Sequence, residues 1–171
     1  TIIGVTGSVG KSSTRLAIVT VLKKKYRVWT AEKNYNNEIG LPLSILGIPS
    51  YGKNIFGWCA GFLHVIIRML WLRFPYPEVL VLEYGVDRPG DMDYLLSIAR
   101  PNIVVVTAIG DVLAHAEFFA HPEELIAEKA KCVHALSTDG YAILNADDYA
   151  VYDMKEKTKA HVITFGQEAH A

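Results

Sequence analysis

Lys11 and Ser12 stand directly after Gly10 in the stretch Gly4-Val5-Thr6-Gly7-Ser8-Val9-Gly10-Lys11-Ser12-Ser13-Thr14. Apolar residues that enter a Gly-rich turn and leave it into a helix have the grammar of a phosphate loop. Glycines let backbone N–H groups close round phosphate oxygens, and the helix start presents its positive end. A lysine adds a point charge, and a hydroxyl can hold Mg²⁺. Thr6, Gly7, Ser8, Val9, Gly10, Lys11, Ser12 and Ser13 are therefore the candidate nucleotide contacts, and the expected ligand is a nucleoside triphosphate. The strict spacing G-x-x-x-x-G-K-[ST] asks for Gly at position 5, where this chain has Val5. A Gly-containing strand-to-helix turn without a ligand is the plainer reading, and the flanking apolar run and helix weigh against it.

Other residues point to the same chemistry. Glu83 ends the apolar run Val79-Leu80-Val81-Leu82-Glu83, and open parallel sheets place ligand-facing groups at such strand ends. Beside a phosphate loop it would hold the Mg²⁺ that bridges phosphates; elsewhere it would be a rim salt bridge. The loop Asn34-Tyr35-Asn36-Asn37-Glu38-Ile39-Gly40-Leu41-Pro42 carries three Asn in four residues. Asn favours turns and caps, but next to a phosphate loop it also suits substrate contact. His115 follows the apolar run 102–107 and is either a surface histidine or a metal ligand. Lys129 and Lys131, in Glu128-Lys129-Ala130-Lys131, read as surface lysines on residue type alone.

These groups need a scaffold, and the chain alternates strand-like and helix-like segments throughout. Residues 1–6, 26–31, 79–85, 102–107, 141–144 and 161–165 read as strands. Helical patterns run from 12 to about 24, from Pro42, from 91 to 99 with Asp91 as a cap, and from His121-Pro122 onward. The Lys23-Lys24-Lys25 run falls where cations complement a helix C-terminus. Such alternation predicts an α/β fold with a mostly parallel sheet covered by helices on both faces. Residues 55–72 form an almost unbroken apolar stretch with Phe56, Trp58, Phe62, Ile66, Ile67, Leu70 and Trp71. Gly57, Gly61, His64 and Arg68 recur along it at helical spacing, giving one small-and-polar face and one broad apolar face. Arg68 and His64 make spanning a bilayer costly. The expectation is peripheral membrane contact or packing on a partner, against an ordinary covering helix.

Bulk properties bound the rest. The 171 residues fit one domain, and 51% hydrophobic with 20% charged residues reads as globular. A net charge of −1 gives no global reason to bind nucleic acid. Cys59 and Cys132 lack metal-ligand spacing and suit a reducing cytoplasm. The chain starts without Met, directly at a strand, and reads as a piece of something longer.

Taken in order, residues 4–14, the 34–42 loop, Leu82-Glu83-Tyr84-Gly85, His115, the 128–131 helix and Asn145-Ala146-Asp147-Asp148 resemble the ATP-binding central domain of the Mur ligases. The Asn-rich loop is similar to that of the branch that joins D-Ala-D-Ala to a UDP-N-acetylmuramoyl-tripeptide. The resemblance covers nearly the whole chain except an apolar insertion at about 51–76, and it implies a P-loop NTPase-like fold. It implies ATP and Mg²⁺ as cofactors, and a ligase that activates a carboxylate as an acyl phosphate for attack by an amine. Lys11 and the glycines would hold the β- and γ-phosphates, while Ser12 and Glu83 would bind one Mg²⁺. His115 and a carbamylated Lys131 would help hold a second, with Lys129 as the competing lysine. Asn37 would lie near the reacting carboxylate, and Asn145 and Asp148 would contact adenine. Ala108 departs from the Asn that family members often carry there. Residues 1–171 would then be the central domain alone, without the UDP-sugar domain before it and the amine-binding domain after it, and inactive by itself. A folylpolyglutamate-synthase-like ligase and a membrane-associated nucleotide-dependent switch ATPase are the alternatives, and a cytoplasmic location is expected.

Overall fold

The computed structural model describes residues 1–31, 35–70, 75–110 and 118–167. Their strands are β1 (Ile2–Thr6), β2 (Val28–Thr30), β3 (Val79–Glu83), β4 (Ile103–Val106), β5 (Tyr141–Asn145) and β6 (His161–Phe165). The helices are α1 (Lys11–Leu22), α2 (Gly40–Leu46), α3 (Ile55–Leu70), α4 (Asp91–Ile98), α5 (Pro122–His134) and the short α6 (Tyr149–Tyr152). All six strands are parallel, in the order β2-β3-β1-β4-β5-β6. The expected strands and the larger helices are all present; α6 and the 3₁₀ turn Asp153–Lys157 were not foreseen.

Side-chain alternation along the strands explains how the two faces divide the work. On β3, Val79 and Val81 pack with Ile3, Val5, Val19 of α1 and Val105. Leu80 and Leu82 point the other way, into a larger core with Met92, Leu95, Leu125, Val133, Val104, Val106 and Leu144. Two residues after Val81 the same alternation turns Glu83 to the α1 side. The register sets Val5 beside Glu83 and Thr6 beside Val106, so the ends of the three central strands are level.

Arg15 takes advantage of that placement, although its sequence position gives it no motif role. It is 3% exposed, and its Nε donates to Glu83 Oε1 at 2.6 Å. Its Nη1 donates to Thr30 Oγ1 at 2.9 Å and to the Ala31 carbonyl. One guanidinium thus ties α1, β2 and β3 together at their ligand-facing ends.

Three local expectations are corrected. α1 ends at Leu22, so Lys23 is its C-cap and Lys24-Lys25 lie beyond it. Asp91 does not cap α4: Gly90 holds that position at φ 93°, and Glu128 of α5 accepts the Gly90 and Met92 N–H groups, each at 3.0 Å. The Asp91 carboxylate instead accepts from Asp87 and Arg88 N–H, closing the loop before the helix.

The third correction concerns α3. Its inward stripe is Gly57, Trp58, Gly61, Val65 and Arg68, while His64 lies on the exposed side. Tyr51 covers both glycines: a Cβ at 57 would sit 2.6 Å from its ring, and one at 61 would sit 2.7 Å away. Val65 then fills a small core with Leu43 and Ile48, which sets the helix rotation and excludes His64. Arg68 lies over the Trp29 ring at 4.4 Å. Residues 71–74, at the end of the expected 55–72 stretch, lie outside the described residues. Among the described residues no helix is long and apolar enough to cross a membrane.

The Arg15–Glu83 pair gives a stability test. Arg15→Met would leave a buried carboxylate without its counter-ion, so unfolding free energy should fall by about 3–5 kcal/mol, measured by urea denaturation. Glu83→Gln, which keeps an acceptor for the guanidinium, should cost less.

Candidate functional site

The loop between β1 and α1 is fastened to the end of β4. Gly7 is buried at φ 138°, and a Cβ there would meet Thr107 Oγ1 at 2.2 Å, so glycine is required. Ser8 and Val9 donate their N–H groups to the Ala108 carbonyl at 2.6 and 3.2 Å. These two donors, expected on a phosphate, are directed to β4 in this conformation. Thr6 Oγ1 donates to the Tyr84 carbonyl, again a framework bond. α1 opens at Gly10, φ 85°, with no side-chain cap, so its positive end faces the space before the loop.

Two cations meet at this loop. Lys11 Nζ donates to the Gly7 and Ser8 carbonyls at 2.9 and 3.0 Å, and Lys129 Nζ donates to the same Gly7 carbonyl at 3.2 Å. Burial lowers the Lys11 pKa against the raising effects of Glu83 and Asp87. Burial, then repulsion from Lys11, pushes Lys129 down to about 8, opposed by Asp87. Ser8 Oγ is buried with no hydrogen-bond partner among the described residues. Such an orphan costs about 1–3 kcal/mol. Two ammonium groups and an orphan hydroxyl at one loop are what an anion with several oxygens would satisfy. Ser12 Oγ lies 3.2 Å from Glu83 Oε2, an oxygen pair suited to a hard divalent cation. Among the described residues no cluster of three His, Cys, Asp or Glu could hold a metal. A magnesium ion here would therefore take most of its shell from phosphate and water.

Lys131 is placed elsewhere. Two positions along a helix turn a side chain by about 200°, so Lys129 and Lys131 cannot share a face. Lys131 Nζ is held at 2.6 Å by both Asp93 Oδ2 and Glu128 Oε2, which raise its pKa. Of the two lysines, Lys129 is the one the structure brings to the loop. Sequence spacing carried the signal: Leu125, Lys129, Cys132 and Val133 form the buried stripe of α5.

The Asn-rich loop reaches the end of β3. Gly85 donates its N–H to the Asn36 carbonyl at 2.7 Å, and a Cβ at 85 would strike the Asn36 side chain at 2.8 Å. Asn37 Oδ1 accepts the Gly40 N–H at 2.9 Å at the start of α2, so turn chemistry is part of its role. Asn37 also lines a cavity of about 530 Å³ with Gly85, Asp87, Arg88 and Phe118. Asp148 is committed to the framework: Oδ2 accepts the Ile109 and Gly110 N–H groups at 2.8 and 3.0 Å, and Oδ1 caps α6. Asn145 Oδ1 accepts the Asp147 N–H at 3.0 Å. His115, Asn34 and Arg73 lie outside the described residues.

Comparison with known proteins identifies the family and the fold. The Mur ligase middle domain model matches residues 67–171. The UDP-N-acetylmuramoyl-tripeptide–D-alanyl-D-alanine ligase of Bacillus subtilis is 32% identical over 147 residues, covering 86% of this chain and 26% of that protein. The enzyme of that name from Mycobacterium leprae is 31% identical across 100% of the chain, which covers 28% of it. The crystal structure of MurF ligase from Thermotoga maritima in complex with ADP shares 29% identity and a TM-score of 0.72, over 99% of this chain and 33% of that one. MurF from Acinetobacter baumannii, at 23% identity and a TM-score of 0.72, shares the fold; 97% of this chain and 31% of that one are covered. The chain thus spans about a quarter to a third of the length of the proteins it matches. With a P-loop NTPase-like parallel sheet and a family match over more than half its residues, the chain belongs to the Mur ligase family, as a middle domain.

Proposed function

We propose that the chain is the ATP-binding domain of a cytoplasmic ligase that joins D-Ala-D-Ala to the tripeptide carboxylate of a UDP-N-acetylmuramoyl-tripeptide, a step of peptidoglycan precursor synthesis. The observation that carries this is the convergence of Lys11 and Lys129 on the Gly7 carbonyl, beside the Ser12–Glu83 oxygen pair. The names of the similar enzymes supply the substrates. The UDP-sugar and amine sites belong, on this reading, to the other domains of the full-length protein.

The reaction balances as two transfers. The γ-phosphoryl group of ATP moves to a carboxylate oxygen and ADP leaves. The amine then attacks the acyl carbon, phosphate leaves and the amine proton passes to solvent. Such chemistry asks the protein for charge neutralisation and positioning. Lys11 would swing from the Gly7 and Ser8 carbonyls to the β- and γ-phosphates, and Ser8 Oγ would donate to a phosphate oxygen. Ser12 and Glu83 would hold Mg²⁺, which supplies charge for the phosphoryl transfer. Arg15 keeps Glu83 Oε1 occupied so that Oε2 faces Ser12. Asn37, at the cavity beside Gly85, would orient the acceptor carboxylate, and Asn145 would contact adenine.

Lys129 replaces Lys131 as the proposed carbamylation site. Only a neutral amine adds CO₂, and the pKa near 8 leaves a useful neutral fraction at physiological pH, whereas the paired Lys131 stays charged. Addition forms an N–C bond at Nζ and releases one proton, exchanging a cation for a carbamate. With His115, that carbamate would contribute to a second Mg²⁺ site.

In the full-length protein, phosphate release should require both the UDP-muramoyl tripeptide and D-Ala-D-Ala. ATP hydrolysis independent of both would support a switch ATPase instead, and glutamate addition to a folate would support the other ligase. Lys129→Ala should lower kcat by at least about 100-fold, with partial rescue by a short carboxylate added to the medium. Lys131→Ala should stay within a few-fold of the parent. The Lys129 proton makes a separate thermodynamic test. Its pKa is about 8 folded against an ordinary 10.5, so the unfolded chain binds more protons between those values and stability rises across that window. In CO₂-free buffer Lys129→Met should therefore stabilise the protein at pH 7, by on the order of 3 kcal/mol. That advantage should disappear as the pH approaches 10.5, read from urea denaturation at each pH.

A further inference from the structure

We propose that the outward face of α3 is a docking surface for an anionic lipid bilayer, and that the helix lies in the plane of the membrane. α3 faces the opposite way from an ordinary surface helix. Its glycines and Arg68 pack inward against Tyr51 and Trp29. Ile55, Phe56, Phe62, Leu63, Ile66, Ile67, Met69 and Leu70 are each 46% exposed or more. A contiguous apolar patch of that extent marks an interaction site.

Charge selects the occupant. No Asp or Glu occurs between Glu38 and Glu78, so all 18 acidic residues of the chain lie outside this segment. The same segment holds Lys53, Arg68 and Arg73. Lys53 is exposed just before the helix, and Arg68 is in its last turn. An anionic headgroup layer repels carboxylates and attracts basic residues beside an apolar face. Two copies of the chain packed through α3 would draw no charge complementarity from residues 39–77, which hold no carboxylate. At 16 residues α3 is about 24 Å long, and among the described residues no helix is suited to crossing a membrane. A helix of this kind rests with its apolar side chains at the level of the upper acyl chains. This proposal is independent of the ligase chemistry.

The test is co-sedimentation of the full-length protein with vesicles of phosphatidylcholine alone or mixed with phosphatidylglycerol. The protein should sediment with the anionic vesicles. Replacing Phe56, Ile66 and Met69 together by Ser should weaken that partition by at least about tenfold. All three side chains are exposed, so the variant should fold, and unchanged ligation or nucleotide binding in solution would verify it. Lys53→Glu should weaken binding to the anionic vesicles and not to neutral ones. Absence of sedimentation, or full binding by the triple variant, overturns the proposal. So does a dimer that the triple variant dissolves without any vesicle binding, which would assign the face to a second copy. Failure of ligation with vesicle binding intact would count against the enzyme reading alone.

Discussion

Like charges held together are the constraint on which the corner at the glycine loop depends. Lys11 and Lys129 share the Gly7 carbonyl, one of them 3% exposed, and nothing in simple folding energetics favours such an arrangement. What holds Lys129 there is the rest of α5. Leu125, Ala130, Cys132 and Val133 are buried in the larger core, and Glu128 fixes the start of α4 through two backbone N–H groups. The helix cannot rotate away without exposing that stripe. Core packing therefore keeps the Lys129 amine beside Lys11 in a place that disfavours its charge, and this is why its pKa falls to about 8.

Glu83 meets the same demand with opposite sign. Strand alternation turns it to the α1 side, and register levels it with the loop. Arg15 occupies one carboxylate oxygen while Ser12 faces the other. A buried carboxylate bonded by Arg15 at one oxygen is fixed in direction, and its second oxygen is left to Ser12. Because Arg15 also bonds Thr30 and the Ala31 carbonyl, the Ser12–Glu83 pair is mechanically linked to the edge strand that leads into the Asn-rich loop. The order of strands thus brings two functions to one side chain.

Much of this was legible in the chain. The phosphate loop, Glu83 and the strand–helix alternation rest on local patterns, and each pattern needs only neighbouring residues to be read. Arg15 was missed because its role depends on β2 and β3, 15 and 68 residues away in sequence. Motif position does not separate Lys129 from Lys131, whereas the helical phase of Leu125, Cys132 and Val133 does. The oxygens of Asp148 fasten the turn after β4, a role that no spacing within its own segment reveals. The orientation of α3 was likewise undetermined: amphipathicity tells which two faces a helix has, and the packing partner decides which one turns inward.

For α3 that partner is Tyr51. An aromatic ring laid flat on a helix needs residues without side chains beneath it, and Gly57 and Gly61, one turn apart, provide the contact. Large residues at those positions would lift the helix off and open the small core of Leu43, Ile48 and Val65. The close approach is thus achieved by small residues, and bulk is displaced to the outside. Phe56 and Met69 are 88% and 76% exposed on that outer side, and nothing in the inner contact depends on their bulk. The sequence places large apolar groups on the outside and has no carboxylate from 39 to 77, a combination that the inner contact on Tyr51 does not require.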